Sequence, residues 1–223
     1  MEASKDSRSL RWHERYSRDN EAISNWAEQV NIFATLIEVA GKLEEAGVEY
    51  VIGGSLASSV WGEERATRDV DVAAIFSVSQ INKLQELIDW PYIIDGDSMR
   101  ESLRTREEFA SGQILNGETQ DKFDLFILRN DEYANCQLQR KRMVELFPGK
   151  EFPIASPEDI VITKLRWFVL GNRVSDKQWN DIVQVLEIQD GQLDEDYMTK
   201  WATHFDVLDL LKDAQSQIVV PDK

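Results

Sequence analysis

Cysteine is almost missing. Cys136 stands alone among 223 residues, so no intrachain disulfide, CxxC redox pair or cysteine-rich zinc site can be built. Histidine is nearly as scarce, with only His13 and His204, which removes the raw material for histidine metal centres and most Ser-His-Asp arrangements. Basic residues are the minority charge: 25 lysines and arginines face 41 aspartates and glutamates, a net charge of -16 with neutral histidine. Non-specific nucleic-acid binding draws its affinity from phosphate neutralisation by lysine and arginine, so generic DNA coating and anionic-membrane binding are disfavoured. No run of eighteen apolar residues occurs, and the segment from Met1 to Asn20 lacks the apolar stretch of a signal peptide, so the chain reads as cytoplasmic with no membrane role. Any catalysis has to rest on carboxylates.

What is present is a chain 42% hydrophobic, long enough for one compact domain and an appendage. Residues 1–20 carry nine charged side chains and read as a polar N-terminal arm. Ile23, Trp26, Val30, Phe33, Ile37, Ala40 and Leu43 recur at helical steps and predict an amphipathic helix ended by Gly47. Val48 to Ile52, Gly53-Gly54 and Ser55 to Trp61 read as strand, turn and helix. A strand over Asp69 to Phe76 and a helix over Ser79 to Asp89 follow. Strands are expected at Phe109 to Leu115 and Lys122 to Leu128, antiparallel, with Asn116-Gly117 as a type I′ hairpin turn. Ser156-Pro157-Glu158-Asp159 supplies an N-cap, a proline at N1 and two first-turn acids. Helices are then predicted at Pro157 to Leu170, Asp176 to Ile188, Glu195 to His204 and Val207 to Gln217. The expected fold is α+β: a domain over 21–155 with a mixed or antiparallel sheet and flanking helices, then a small helical domain over 156–223.

Asp69 and Asp71 lie two apart on a predicted strand, so their carboxylates leave the same face and repel. A cation between them relieves that repulsion, and hard oxygen ligands on a rigid strand suit Mg2+ beside substrate phosphates. The plainer alternative is a solvated acidic edge. Asp124 sits inside Lys122-Phe123-Asp124-Leu125-Phe126-Ile127-Leu128, a run apolar on both faces, where a buried carboxylate needs a partner; a shared metal or an ion pair to a lysine or arginine would each serve. Gly53-Gly54-Ser55 falls where strand passes to helix, which lets backbone amides approach a phosphate. Lys164, spaced by four from Ile160 and Phe168, lines up with the apolar face of its helix, where an inward lysine wants an anion.

Taken together, Ile52-Gly53-Gly54-Ser55, thirteen residues from Leu56 to Arg68, Asp69-Val70-Asp71-Val72 and Asp124 resemble the nucleotidyltransferase signature of the DNA polymerase β-like superfamily. Gly53-Gly54-Ser55-x-Ala57 followed by Gly62, Arg65 and Thr67, together with the run from Ala155 to Leu165, is similar to the branch containing AbiEii-type toxins. The resemblance implies an NTP-dependent transferase with Asp69, Asp71 and Asp124 holding two Mg2+ ions, and Asp124 also helping to activate an acceptor hydroxyl. It further implies that Gly53, Gly54 and Ser55 cradle phosphates, that Lys164 steadies the triphosphate and that Asp181 supports activity. The implied acceptor is RNA, specifically tRNA ends, ahead of protein or a small molecule, with a cognate antitoxin as partner. Two other readings stand beside it: a non-catalytic nucleotide- or protein-binding member of a toxin-antitoxin pair, and an aminoglycoside-type transferase whose cationic acceptor suits the acidic surface. Arg65 and Arg68 either touch substrate or offset the acids. Arg140-Lys141-Arg142 reads as a solvated helix end or an anion guide, and Trp26, Trp61, Trp167, Trp179 and Trp201 as core.

Overall fold

The computed structural model describes residues 20–63, 67, 69–105 and 110–218. The arm expected over 1–20 lies outside them apart from Asn20, as do Arg65 and Arg68. In chain order the elements are α1 (Asn20–Glu45), β1 (Tyr50–Ile52), α2 (Gly54–Trp61), β2 (Asp69–Ala74), α3 (Val78–Leu87), β3 (Tyr92–Ile94), α4 (Gly96–Thr105), β4 (Ser111–Asn116), β5 (Lys122–Ile127), α5 (Glu132–Arg140), β6 (Arg142–Phe147), β7 (Lys150–Ile154), α6 (Pro157–Leu170), α7 (Asp176–Ile188), α8 (Glu195–His204) and α9 (Leu208–Gln215). Among the described residues seven strands form one sheet in the order β3-β4-β5-β2-β1-β7-β6. It is mixed: β2/β5 and β1/β7 are parallel, and the other neighbours are antiparallel.

Alternation along the two central strands gives the sheet two different faces. Val70, Val72 and Ala74 with Phe123, Leu125 and Ile127 are buried on one. There α4 comes so close that Met99 fills the place where Gly112 has no side chain. Beside α4 runs α3, capped by a reciprocal Ser77–Gln80 box, and α1 packs on α3 in turn. The opposite face carries Asp69, Asp71 and Ala73 on β2 and Lys122, Asp124 and Phe126 on β5. Over it lies α6, whose Trp167 meets Phe126 edge-on at 5.6 Å.

Helix α6 begins where its cap residues require. Ser156 Oγ accepts from the Asp159 amide at 3.2 Å, and Pro157 takes the first turn. The two acids that follow are buried rather than solvated. Asp159 accepts from Tyr197 Oη and Ser156 Oγ, each at 2.7 Å, and burial raises its pKa to about 6. Glu158 faces Arg140 at 3.2 Å and the Asp194 amide at 3.1 Å. Burial lifts its carboxyl, but the Glu158 and Asp194 amides, Ser156 and Arg140 outweigh that and hold it below the usual range. The basic run is therefore structural: Arg140 also stacks 4.0 Å from the Tyr197 ring, Lys141 pairs with Glu49, and Arg142 lies over Trp61.

Four other features depart from sequence expectation. Asn116-Gly117 does not form a two-residue turn, because the Asn116 carboxamide accepts from the Glu118 and Thr119 amides and the left-handed residue is Gln120. The strands it joins are antiparallel as expected, with Leu115 opposite Lys122. The β3–α4 segment and the β6–β7 hairpin were not anticipated. Of the tryptophans, Trp201 is core at 2% exposure, whereas Trp167 is half-buried and lines a cleft.

Candidate active site

The strand-to-helix turn Gly53-Gly54-Ser55 is locked onto Asp71. The Gly53 amide donates to the Asp71 carbonyl at 2.8 Å, and Ala57 N–H returns to the Gly53 carbonyl at 3.1 Å to open α2. Gly54 has φ +54°, and a Cβ there would stand 1.6 Å from Oδ2 of Asp71. Only glycine permits so close an approach in that conformation. The Ser55 amide hydrogen-bonds to the Asp71 carboxylate, at the end of α2 where the helix favours negative charge.

Parallel pairing of β2 with β5 aligns the acids. Asp71 is opposite Asp124 and Asp69 opposite Lys122, all on the face that looks toward α6. Burial first, then Asp124, pushes the Asp71 carboxyl above its ordinary range, against the pull of the Ser55 amide and Lys164. Asp124 is held at both oxygens, by Lys122 Nζ at 2.8 Å and by Gln113 Nε2 at 2.9 Å. That hydrogen bond to Asp124 raises the Lys122 pKa despite burial, and Asp69 and Asp71 add to the rise. Of the two partners considered for Asp124 from sequence, the arrangement here contains the lysine.

Lys164 does point inward. Its Nζ lies 2.8 Å from Oδ2 of Asp181, with both side chains almost wholly buried. Asp181 thus reaches from α7 to the lysine on α6. Both border a cleft of about 510 Å³ together with Gly53, Gly54, Ser55 and Asp71. Tyr133, Arg166 and Phe205 line it as well, the Arg166 guanidinium stacked 3.9 Å from the Phe205 ring. Arg129, Lys164, Arg166 and Lys177 line the cleft against Asp71, Asp131 and Asp181. In a chain of net charge -16, a lining with four such cations against three acids is locally far less acidic than the whole and better suited to an anion.

The structure therefore brings Gly53, Gly54, Ser55, Asp71, Lys164 and Asp181 to one cleft, and sets Asp69 and Asp124 on the adjoining sheet face. Sequence reasoning did not single out Lys122, Gln113 or Arg166. Lys122 was open to detection, since it lies two before Asp124 on the same strand face; Gln113 and Arg166 depend on strand pairing and helix packing that no local pattern reveals.

Mg2+ would find a chemically suitable donor set in Asp69, Asp71 and Asp124, hard carboxylate oxygens on adjacent rigid strands. Among the described residues, however, no three His, Cys, Asp or Glu side chains are gathered tightly enough to form a finished metal cage. The donors fit, with Asp124 turned toward Lys122.

No protein-family model matches the chain, and no curated protein matches its sequence. Solved structures do. The solution structure of the antibiotic-resistance factor ANT(2'')-Ia superposes with a TM-score of 0.53 at 12% identity, over 85% of this chain and 98% of that one. The crystal structure of ANT(2'')-Ia in complex with adenylyl-2''-tobramycin gives 0.51 at 11% identity, over 79% and 97%. Terminal uridylyl transferase 4 from Trypanosoma brucei with bound CTP matches at 0.31 and 12%, over 86% of this chain and 58% of that chain. At these identities the two ANT(2'')-Ia matches show a likeness of fold: the chain has a nucleotidyltransferase-like α+β fold.

Proposed function

We propose that the protein is a Mg2+-dependent nucleotidyltransferase that moves a nucleoside monophosphate from an NTP to an acceptor hydroxyl. The observation that carries this reading is the approach of Gly54 to the Asp71 carboxylate, with Asp69 and Asp124 on the same sheet face. A turn built so that only glycine fits against a carboxylate keeps helix amides and an acid within reach of one ligand. The cleft's lysines and arginines support a triphosphate as that ligand.

Asp69, Asp71 and Asp124 are the residues that would hold Mg2+, which when bound supplies charge neutralisation at the phosphates and a more acidic acceptor hydroxyl. The Gly54 and Ser55 backbone and the Ser55 hydroxyl bind phosphate oxygens. Lys164, oriented by Asp181, offsets negative charge on the triphosphate. Asp124 takes the proton of the acceptor hydroxyl as its oxygen bonds to the α-phosphorus; the bond from that phosphorus to the bridging oxygen breaks, and pyrophosphate leaves. Positioning and charge neutralisation account for most of the acceleration such a site provides.

For the acceptor, the motif resemblance favours RNA, specifically tRNA ends. A small cationic acceptor is the second reading, supported by the excess of acids over the chain as a whole and by the fold shared with ANT(2'')-Ia, whose complex contains a nucleotidylated aminoglycoside. The direct test of the site is calorimetric titration with each Mg-NTP. Binding is expected in the wild type and lost in Asp71→Asn and Lys164→Met; equal binding by the wild type and both variants would overturn the assignment.

A further inference from the structure

The cation seated among these carboxylates belongs to the chain. Lys122 and Asp124 are two residues apart on β5, so both leave the same face of the sheet, and they meet at 2.8 Å. Parallel register places Lys122 beside Asp69 and Asp124 beside Asp71. Gln113 engages the remaining Asp124 oxygen. With both oxygens satisfied by protein donors, Asp124 has no electrostatic reason to turn toward Asp71, whose negative charge repels it. This accounts for three acids that share a face without forming a cage.

We propose that Lys122 is a positioning residue that holds Asp124 back from Asp71 and keeps the cluster's affinity for a divalent cation low until the NTP triphosphate arrives. The inference rests on reading Asp69, Asp71 and Asp124 as the metal ligands. Lys122 cancels one of their three negative charges, and its ammonium repels an incoming dication. A unit positive charge within a side chain's length of a divalent ion lowers its affinity about ten-fold even in the dielectric of water. Phosphate oxygens add negative charge and ligands of their own, so metal and nucleotide enter together. A lysine whose charge stood too far from the bound ion to act on it would leave nucleotide-free metal affinity unchanged when replaced by a neutral side chain in a folded variant.

The test is Mn2+ titration of the full chain, reading unbound Mn2+ by electron paramagnetic resonance. It is run without nucleotide and then with the α,β-methylene analogues of ATP, CTP, GTP and UTP. Lys122→Met should bind Mn2+ about ten-fold more tightly than wild type without nucleotide. Lys122→Arg, which keeps the charge, should stay near wild type, and the gap between Met and wild type should narrow once nucleotide is added. Lys122→Gln replaces Lys122→Met if circular dichroism shows the latter unfolded. A neutral variant no tighter than wild type, or an Arg variant as tight as the neutral one, overturns the role of Lys122. Asp71→Asn separates this from failure of the underlying reading: nucleotide-dependent Mn2+ binding in wild type that is lost in Asp71→Asn upholds the metal site whatever Lys122 does. Absence of protein-dependent binding in every arm overturns both.

Discussion

Gly54→Ala is the smallest change that should disable the site. An alanine Cβ would lie 1.6 Å from Oδ2, 2.4 Å from Cγ and 2.7 Å from Cβ of Asp71, where real contacts essentially never fall below 3.0 Å. The carboxylate must therefore retreat by at least 1.4 Å, or the turn must move away from β2 by a similar amount. The left-handed backbone conformation adds about 1–2 kcal/mol of strain for an L side chain. For a chain of this size that corresponds to roughly 2–8 °C in melting temperature. A misplacement of about 1 Å at a reacting centre costs on the order of 100-fold in rate, so the catalytic loss should far exceed the loss of stability. Single-turnover transfer and thermal unfolding, measured on the same preparation, separate the two. Gly41→Ala is the control, since a Cβ there meets nothing within 4 Å. Near-wild-type turnover by Gly54→Ala would refute the claim that Gly54 is fixed by its approach to Asp71.

Three further outcomes are expected. The folded chain holds the Asp159 proton up to about pH 6, against an ordinary 3.8. Its contribution to stability is thus fully present below about pH 4 and lost as pH rises through about 6, by at most about 3 kcal/mol. Asp159→Asn should remove that loss, so urea unfolding should show the variant gaining on wild type as pH rises; a gap independent of pH would contradict this. Breaking the buried Lys164–Asp181 pair from one side should cost about 3–5 kcal/mol by leaving the other charge uncompensated. Lys164→Met/Asp181→Leu should recover much of that stability in denaturant titrations yet still fail to bind Mg-NTP; additive destabilisation would deny the pairing. Trp201→Ala removes a side chain packed against Tyr133 at 4.8 Å and should cost about 3–5 kcal/mol, with a midpoint shift of under 1 kcal/mol counting against it.

Where a local signal coincided with the global packing, the sequence was readable to the residue. Ser156, Ser175 and Asp194 each cap the helix that follows them, so α6, α7 and α8 begin and end where polarity and periodicity place them. Tyr92–Ile94 is only three residues long, too short for alternation to register. Helix α4 is mostly polar, and its buried side chain, Met99, sits over Gly112, a tertiary fit with no local trace. The β6 strand shows no clean alternation in sequence because the apolar Met143 and Phe147 stand on its exposed face beside Glu145, while Val144 and Leu146 pack half-buried against the core. At the candidate site, Asp69, Asp71, Asp124 and the glycine turn were visible as spacing. Their mutual placement depends on the β2–β5 register, and the choice of lysine as the partner of Asp124 depends on side-chain geometry that the spacing leaves open. The inward Lys164 could be read from its helix, but Asp181 became its partner only through the packing of α7 on α6.

The most direct test of the central claim is transfer of label from each α-labelled NTP, with Mg2+, to total RNA, cell-extract protein or aminoglycosides, with pyrophosphate release followed in parallel. The wild type should label one acceptor class and release pyrophosphate in step with labelling, and Asp69→Ala and Asp71→Ala, folded by circular dichroism, should do neither. Labelling that persists at the wild-type rate in both variants would contradict the account.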